Sequence, residues 1–149
     1  MGIIKVGLDI HGVIDQDPDL FAALSKTLTG NGHQVHILTG REINDYIIDR
    51  LRDFNISYNQ IFSITSYHKK IGTYIAYKNG DRTQPLIDSF KWDSSKAMYC
   101  ASEKLHFHID DSVVYGKYFI DTCTQYLRYT PELKEVIRTL INGGNSAYV

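Results

Sequence analysis

Short apolar runs that alternate with amphipathic segments constrain the fold of this chain more than any other feature. Residues 3–8 form a nearly continuous β-branched and aliphatic run that ends at a carboxylate, and residues 35–38 form a second such run. Strands that are buried on both faces of a parallel sheet have this continuous apolar character, whereas half-exposed strands alternate. The sequence therefore predicts central parallel strands.

Amphipathic helices are predicted after each of these two strands. Asp17 and Pro18 supply a cap and a first-turn proline for a helix that should end near Gly30, and apolar residues recur at helical spacing from Ile43 to Phe54. This alternation is typical of an α/β fold with a doubly wound parallel sheet. Ligands of such sheets bind at the carboxyl ends of the strands.

Further elements are predicted as a strand near 60–64, a helix over 94–104, strands over 105–109 and 123–127, and a helix over 131–141, with a frayed tail at 142–146. The segments Thr73–Lys78 and Asp81–Ile87 flank Asn79 and Gly80, which is the strongest short-range signal for a β-hairpin. No linker divides the chain. We therefore expect one domain over residues 1–149, with an inserted hairpin at about 67–91.

Composition excludes several classes of protein. The formal net charge of −1 gives no overall basic field for nucleic acid or a membrane surface. No stretch approaches the roughly 18 apolar residues that a membrane span needs. Cys100 and Cys123 match no zinc or redox spacing, so we expect reduced thiols and a cytoplasmic protein.

Polar side chains follow three of the predicted strands. They are Asp9 after the first strand, Thr39 and Gly40 after the second, and Asp110 and Asp111 after the strand at 105–109. The carboxyl ends of parallel strands meet at one edge of a sheet, so we expect these residues to lie together, with Lys96 on the preceding helix beside them.

This combination suits phosphoryl transfer. A carboxylate such as Asp9 can attack a phosphoryl group, and Asp9 and Asp110 could together hold Mg²⁺. Lys96 would neutralise the nucleophile and the phosphate, and Thr39 would donate a hydrogen bond to a phosphoryl oxygen. We prefer Lys96 to Lys91 for the ammonium role, since Lys91 precedes Trp92 and lies outside the predicted helix.

Four segments in order resemble the motifs of the haloacid dehalogenase-like (HAD) superfamily of phosphohydrolases. They are Asp9–Asp15, Leu38–Arg41, Lys96 and Ile109–Ser112, so the resemblance spans about residues 3–130. It implies a Rossmann-like sheet, a Mg²⁺ ion bound by Asp9, Asp110 and the backbone carbonyl of His11, catalysis by Asp9, His11 and Lys96, and phosphate binding by Thr39, Gly40 and Lys96.

His11 departs from the family pattern, which usually has a second aspartate two residues after the nucleophile to transfer a proton. Imidazole is chemically suited to act as an acid and then as a base near neutral pH. Either His11 replaces that aspartate in a working phosphatase, or it only fills the loop and turnover is slow or absent. The second alternative describes a catalytically quiet protein that binds a phosphorylated ligand or a partner.

Several nearby residues admit two interpretations. Asp111 could bind the metal through water or orient Lys96, or it could cap a loop. Asp15 could line the site or close the turn. His106 and His108 share one face of a strand, where packing or solvent exposure is commoner than metal ligation.

The predicted hairpin bears on the substrate. It is too small for a large cap, so the resemblance implies a minimal-cap enzyme with an open site, suited to a large substrate or to closure by a second subunit in a homo-oligomer. Residues 66–93 carry five basic against three acidic side chains, interleaved with aromatic ones. We therefore expect a phosphorylated small molecule, with nucleotides or nucleic-acid ends among the candidates, although tyrosines that pack in a sheet explain the same pattern.

Overall fold

The computed structural model describes residues 2–143 of the 149-residue chain. This part of the chain forms seven strands: β1 (Lys5–Leu8), β2 (Gln34–Thr39), β3 (Gln60–Ser63), β4 (Ala76–Tyr77), β5 (Pro85–Leu86), β6 (Phe107–Asp110) and β7 (Gln125–Arg128). Its longer helices are α1 (Pro18–Gly30), α2 (Asp45–Asp53), α3 (Ile64–Lys70), α4 (Ser89–Glu103) and α5 (Pro131–Gly143).

Five parallel strands form the centre of the molecule in the spatial order β3-β2-β1-β6-β7. One hydrophobic core lies between one face of this sheet and α1, α2 and α5. A second core lies on the other face against α3 and α4. The prediction of an α/β fold with helices on both faces of a parallel sheet is therefore confirmed.

Gly7 of β1 pairs with His108 of β6, and neighbouring side chains fill the space where a side chain at Gly7 would lie. A Cβ atom at Gly7 would lie 2.7 Å from Nδ1 of His108 and 3.0 Å from Cδ2 of Leu105. Val6 and Leu8, whose side chains alternate with Gly7 along the strand, belong to the opposite core. Gly7 thus leaves room for the imidazole of His108 under the centre of the sheet.

Helix α3 was not predicted, and α4 begins earlier than predicted. Ser63 caps α3 by accepting a hydrogen bond from the Ser66 amide at 3.0 Å, at the point where the third strand was expected to continue. Asp88 caps α4 by accepting a hydrogen bond from the Lys91 amide at 3.1 Å. In both places a side-chain cap overrides the apolar pattern that was used to place the boundaries.

The hairpin prediction was right about an antiparallel pair and wrong about its length and turn. The strands β4 and β5 have two residues each, and Ala76 and Leu86 pair across them. The connection runs from Lys78, whose amide donates to the Gln84 carbonyl at 3.0 Å. Asp81 organises this longer loop, so Asn79 and Gly80 do not form a two-residue turn. The inserted segment as a minimal cap stays a prediction.

Smaller differences concern the ends of the last elements. The strand predicted at 105–109 begins later, because Lys104 has a left-handed conformation that ends α4 and the Leu105 amide bonds back to the Cys100 carbonyl at 2.9 Å. The last strand is also shifted towards the C-terminus. Asn142 and Gly143 continue α5 rather than fray, and the rest of the predicted tail, residues 144–146, lies outside the described residues.

No helix between residues 2 and 143 is both long enough and apolar enough to cross a membrane. Cys100 is buried and Cys123 is exposed, and both are free thiols.

Candidate active site

The carboxyl ends of β1, β2 and β6 meet around a cavity of about 400 Å³. The register of the sheet pairs Leu8 with Ile109, so the next residues, Asp9 and Asp110, emerge side by side. The cavity is lined by Asp9, His11, Gly40, Arg41, Thr83, Pro85, Trp92, Lys96, Asp110, Asp111, Ser112 and Tyr115. Most of the sequence-predicted site residues are therefore close together.

Lys96 reaches this edge from the buried face of α4. Its Nζ donates hydrogen bonds to Oδ1 of Asp9 at 3.1 Å and to Oδ2 of Asp110 at 2.7 Å, and it lies 5.2 Å from the ring centre of Tyr115. Only 3% of the Lys96 side chain is exposed. Lys91, the alternative considered for this role, is exposed on the same helix and does not line the cavity.

Asp110 is held by donors on both carboxylate oxygens. Oδ2 accepts hydrogen bonds from Lys96 and, at 2.9 Å, from Nε2 of His108, and Oδ1 accepts one from the Ser112 amide at 3.1 Å. His108 is fully buried, and its Nδ1 has no hydrogen-bond partner between residues 2 and 143. These bonds fix the orientation of the Asp110 carboxylate.

Asp9 is held on one side only. Oδ1 accepts hydrogen bonds from the Ile10 amide at 3.0 Å and from Lys96. Oδ2 has no hydrogen-bond partner in the part of the chain that the structure describes. Since Asp9 lines the cavity, this oxygen is the one available to a ligand.

The buried charges shift one another's pKa values. Burial raises the pKa of Asp9 to about 8, against the opposing charge of Lys96. Burial alone would also raise the pKa of Asp110, but the hydrogen bond from His108 and the charge of Lys96 hold it well below its usual range. Burial likewise opposes the charge on Lys96, yet the two aspartates raise its pKa above the ordinary value. Nearby positive charge and hydrogen bonds thus offset the cost of burying a charged carboxylate less at Asp9 than at Asp110.

Asp111 completes a group of three carboxylates. One oxygen each from Asp9, Asp110 and Asp111 lies within 4.8 Å of the other two. Asp111 packs directly against Gly12, which has a φ of +87°. A Cβ atom at this position would collide with the Asp111 carboxylate, so only glycine fits there. Asp15 does not line the cavity, and its Oδ1 accepts a hydrogen bond from the Gly12 amide at 2.8 Å, which closes the turn after Asp9.

The donor set fits a hard divalent cation. Three carboxylates face one ammonium, so the cluster carries excess negative charge at the cavity when all are ionised. Mg²⁺ prefers carboxylate oxygens and keeps several waters, which an open cavity allows. Among residues 2–143, Asp9, Asp110 and Asp111 are the acidic, histidine or cysteine side chains that lie close enough together to bind one metal ion.

His11 is half-buried and lines the cavity with Asp9. Burial lowers the pKa of His11, and the nearby Arg41 guanidinium lowers it further. The imidazole is therefore held towards its neutral form in the free protein. Metal binding through the His11 carbonyl stays a prediction.

The two residues predicted from the end of β2 have different surroundings. Thr39 is fully buried and does not line the cavity, and its Oγ1 accepts a hydrogen bond from the Arg41 amide at 3.3 Å. Gly40 forms the cavity wall with Trp92, and a Cβ atom at Gly40 would lie 2.7 Å from Cζ2 of that indole. Phosphate binding by Thr39 and Gly40 stays a prediction.

Sequence reasoning missed His108, Arg41 and the wall formed by Trp92 and Tyr115. Trp92 Nε1 donates to the Tyr115 hydroxyl at 2.9 Å, which joins α4 to the loop after β6. His108 packs as expected, since it is fully buried and stacks on Phe119, but its hydrogen bond to Asp110 was not predicted although the sequence contains a signal for it. His108 precedes Asp110 by two residues, and side chains two apart in a strand lie on the same face.

Comparisons with known proteins add information about the fold. No protein-family model matches the chain, and no curated protein matches it. A crystal structure of an uncharacterized protein from Corynebacterium glutamicum is similar with a TM-score of 0.58 at 14% identity, over 95% of this chain and 96% of that one. This likeness shows the fold alone.

A second solved structure is the cobalt-bound form of deoxy-D-mannose-octulosonate 8-phosphate phosphatase (YrbI) from Haemophilus influenzae. Its TM-score is 0.43 at 17% identity, over 98% of this chain and 92% of that one. A TM-score this low supports no conclusion about the present chain.

The charge balance of the cluster predicts opposite effects of two substitutions on the metal-free protein. Lys96→Met leaves buried carboxylates without a cation and should lower the free energy of unfolding by about 3–5 kcal/mol. Asp9→Asn removes a carboxyl group whose ionisation is opposed by burial and keeps the hydrogen-bond acceptor, so it should raise stability by about 0.5–2 kcal/mol. Urea unfolding in EDTA at pH 7 measures both.

Lys91→Met is the matched control, since it removes an exposed ammonium from the same helix and should change stability by less than about 0.5 kcal/mol. If Asp9→Asn destabilised the protein as much as Lys96→Met, the electrostatic description of the cluster would be wrong.

Proposed function

We propose that this protein is a Mg²⁺-dependent phosphomonoesterase of the HAD type that uses Asp9 as its nucleophile. The observation that supports this most is the free Oδ2 of Asp9 at the cavity, beside an ammonium that is fixed by two carboxylates. A nucleophilic carboxylate needs one accessible oxygen, and the phosphoryl group that it attacks needs positive charge near it.

In the first step, Oδ2 of Asp9 attacks the phosphorus atom of the bound ester. A bond forms between that oxygen and phosphorus, and the bond between phosphorus and the ester oxygen breaks. The protonated imidazole of His11 gives its proton to the departing oxygen, so an alcohol leaves and an acyl phosphate remains on Asp9.

In the second step, a water molecule attacks the phosphorus atom of the acyl phosphate. The now neutral His11 accepts a proton from this water, and the bond between phosphorus and the Asp9 oxygen breaks. Inorganic phosphate leaves, and Asp9 returns to its carboxylate form with His11 protonated. A lowered pKa makes the imidazolium of His11 a stronger acid, which suits the step in which it gives up its proton. The negative charge of a bound phosphate ester would favour the protonated form before that step.

The remaining residues would hold the transferring group. Lys96 and the Gly40 segment would contact phosphoryl oxygens, with Arg41 beside them. Asp110 is too heavily hydrogen-bonded to act as a nucleophile, so its role is to position Lys96 and to bind the metal.

Asp9, Asp110 and Asp111, with the carbonyl of His11, would hold a Mg²⁺ ion. When bound, this ion would supply positive charge to the phosphoryl oxygens. It would also balance the excess negative charge of the three carboxylates. The substrate would be a phosphorylated small molecule, because the cavity of about 400 Å³ has the size of a ligand pocket.

Asp9→Asn tests the nucleophile. The amide cannot form an acyl phosphate, so phosphate release from a panel of phosphomonoesters with Mg²⁺ should fall by at least about 1,000-fold. Asp121→Asn, a change at an exposed aspartate that does not line the cavity, is the matched control and should retain full activity. If the wild-type protein binds phosphate esters but releases no phosphate, the phosphatase proposal is wrong, and a protein that only binds a phosphorylated ligand is favoured.

Proton transfer by His11 is tested by comparing two substrates whose leaving groups differ in their need for a proton. His11→Ala should lower kcat on the order of 100-fold for an alkyl monoester, whose oxygen needs a proton to leave. It should lower kcat much less for p-nitrophenyl phosphate, whose phenolate leaves unaided, and His11→Asp should restore part of the alkyl activity. Equal losses on both substrates would contradict an acid role for His11.

A further inference from the structure

A second cavity, of about 290 Å³, adjoins the first. The two cavities share Arg41, Thr83 and Pro85 as lining residues, so a ligand that extends out of the first cavity on this side enters the second. The rest of the second lining comes from α2, the residues before it and the loop before β5: Glu42, Asn44, Tyr46, Ile47 and Arg82.

The guanidinium groups of Arg41 and Arg82 line this second cavity. Glu42, its acidic residue, is bound to Lys69 at 2.5 Å between Oε1 and Nζ. No carboxylate between residues 2 and 143 lies within ion-pair distance of Arg41 or Arg82. Asp81 lies near enough to Arg41 for the guanidinium charge to help lower the pKa of Asp81, after the hydrogen bonds from Thr83 and Gln84. The lining still has two guanidinium groups against one carboxylate, so positive charge is in excess in this cavity.

The loop that carries Arg82 is held in place rather than free. The Arg82 guanidinium lies 4.5 Å above the ring centre of Tyr77. On the other side, Asp81 accepts hydrogen bonds from the Thr83 amide at 2.9 Å, the Thr83 hydroxyl at 2.7 Å and the Gln84 amide group at 2.9 Å. A guanidinium that is stacked in this way loses less conformational entropy when it binds a ligand.

We propose that this second cavity binds a second phosphate on the leaving part of the substrate, with Arg82 and Arg41 as its ligands. The assignment rests on the proposed phosphatase reaction, in which the scissile phosphate sits beside Asp9. Planar guanidinium groups match phosphate oxygens in a two-point geometry, and a pair of them favours an anionic group over a neutral one. Tyr46, 54% exposed, offers an aromatic surface in the same cavity to the rest of the leaving group.

Two sources could supply this chemistry: a nucleoside bisphosphate, or the internal phosphodiester of an oligonucleotide with a terminal phosphate. The test compares adenosine 5′-monophosphate, adenosine 3′,5′-bisphosphate and a short 5′-phosphorylated oligonucleotide with Mg²⁺. For the wild type, kcat/KM should rise about 10–100-fold when the second phosphate is present, as expected for charge-assisted hydrogen bonds. A gain for either or both substrates supports the proposal, and its pattern identifies the source.

Arg82→Gln should raise KM for the substrates with a second phosphate and so remove most of their gain in kcat/KM. It should leave kcat/KM for the monophosphate unchanged. Lys78→Gln is the matched control, since it removes an exposed positive charge from the same loop without touching either cavity. The proposal is overturned if the second phosphate gives no gain, or if Arg82→Gln and Lys78→Gln act alike on all substrates.

A binding measurement separates this proposal from the reaction. Calorimetric titration of adenosine 3′,5′-bisphosphate into Asp9→Asn protein, with and without Arg82→Gln, requires no turnover. If the wild type releases no phosphate but Arg82→Gln weakens binding about 10-fold or more, the phosphatase reaction fails and the second phosphate site stands. Equal affinity in both proteins overturns the site.

Discussion

The ammonium of Lys96 joins the central strand β1 to its neighbour β6 at their carboxyl ends. It lies between Asp9 and Asp110, which the register of β1 and β6 brings side by side, and almost none of it is exposed. Removing one partner of a buried ion pair leaves an uncompensated charge in the interior, which is strongly destabilising. The position of α4 against the sheet and the charge of the cavity both depend on this contact.

Asp9 and Asp110 have different surroundings, which suit them to different roles. Asp110 is bound by Lys96, the Ser112 amide and the buried imidazole of His108, for which Gly7 leaves room. Asp9 keeps one oxygen without a partner at the cavity. One carboxylate is therefore fixed in orientation, and the other is open to a ligand. The same cluster has more negative than positive charge, which favours a divalent cation.

Much of the sheet was predictable because buried parallel strands carry a strong local signal, and the convergence of Asp9 with Asp110 follows from the direction of such strands. Helix α3 was not predictable from apolar spacing, since its start depends on the Ser63 cap. The loop between β4 and β5 depends on hydrogen bonds to Asp81 that override the Asn-Gly signal. Arg41 and Arg82 come from distant segments, so only the folded chain brings them to one cavity.

A titration with Mn²⁺, followed by the electron paramagnetic resonance signal of the free ion, tests the central claim that this carboxylate cluster is a cation site. Mn²⁺ uses the same oxygen ligands as Mg²⁺ and reports binding without catalysis. The wild type should bind one ion per chain, and Asp110→Asn should weaken that binding at least about 10-fold, while Asp121→Asn should not. Wild-type protein without saturable binding, or unchanged affinity in Asp110→Asn, would contradict the account.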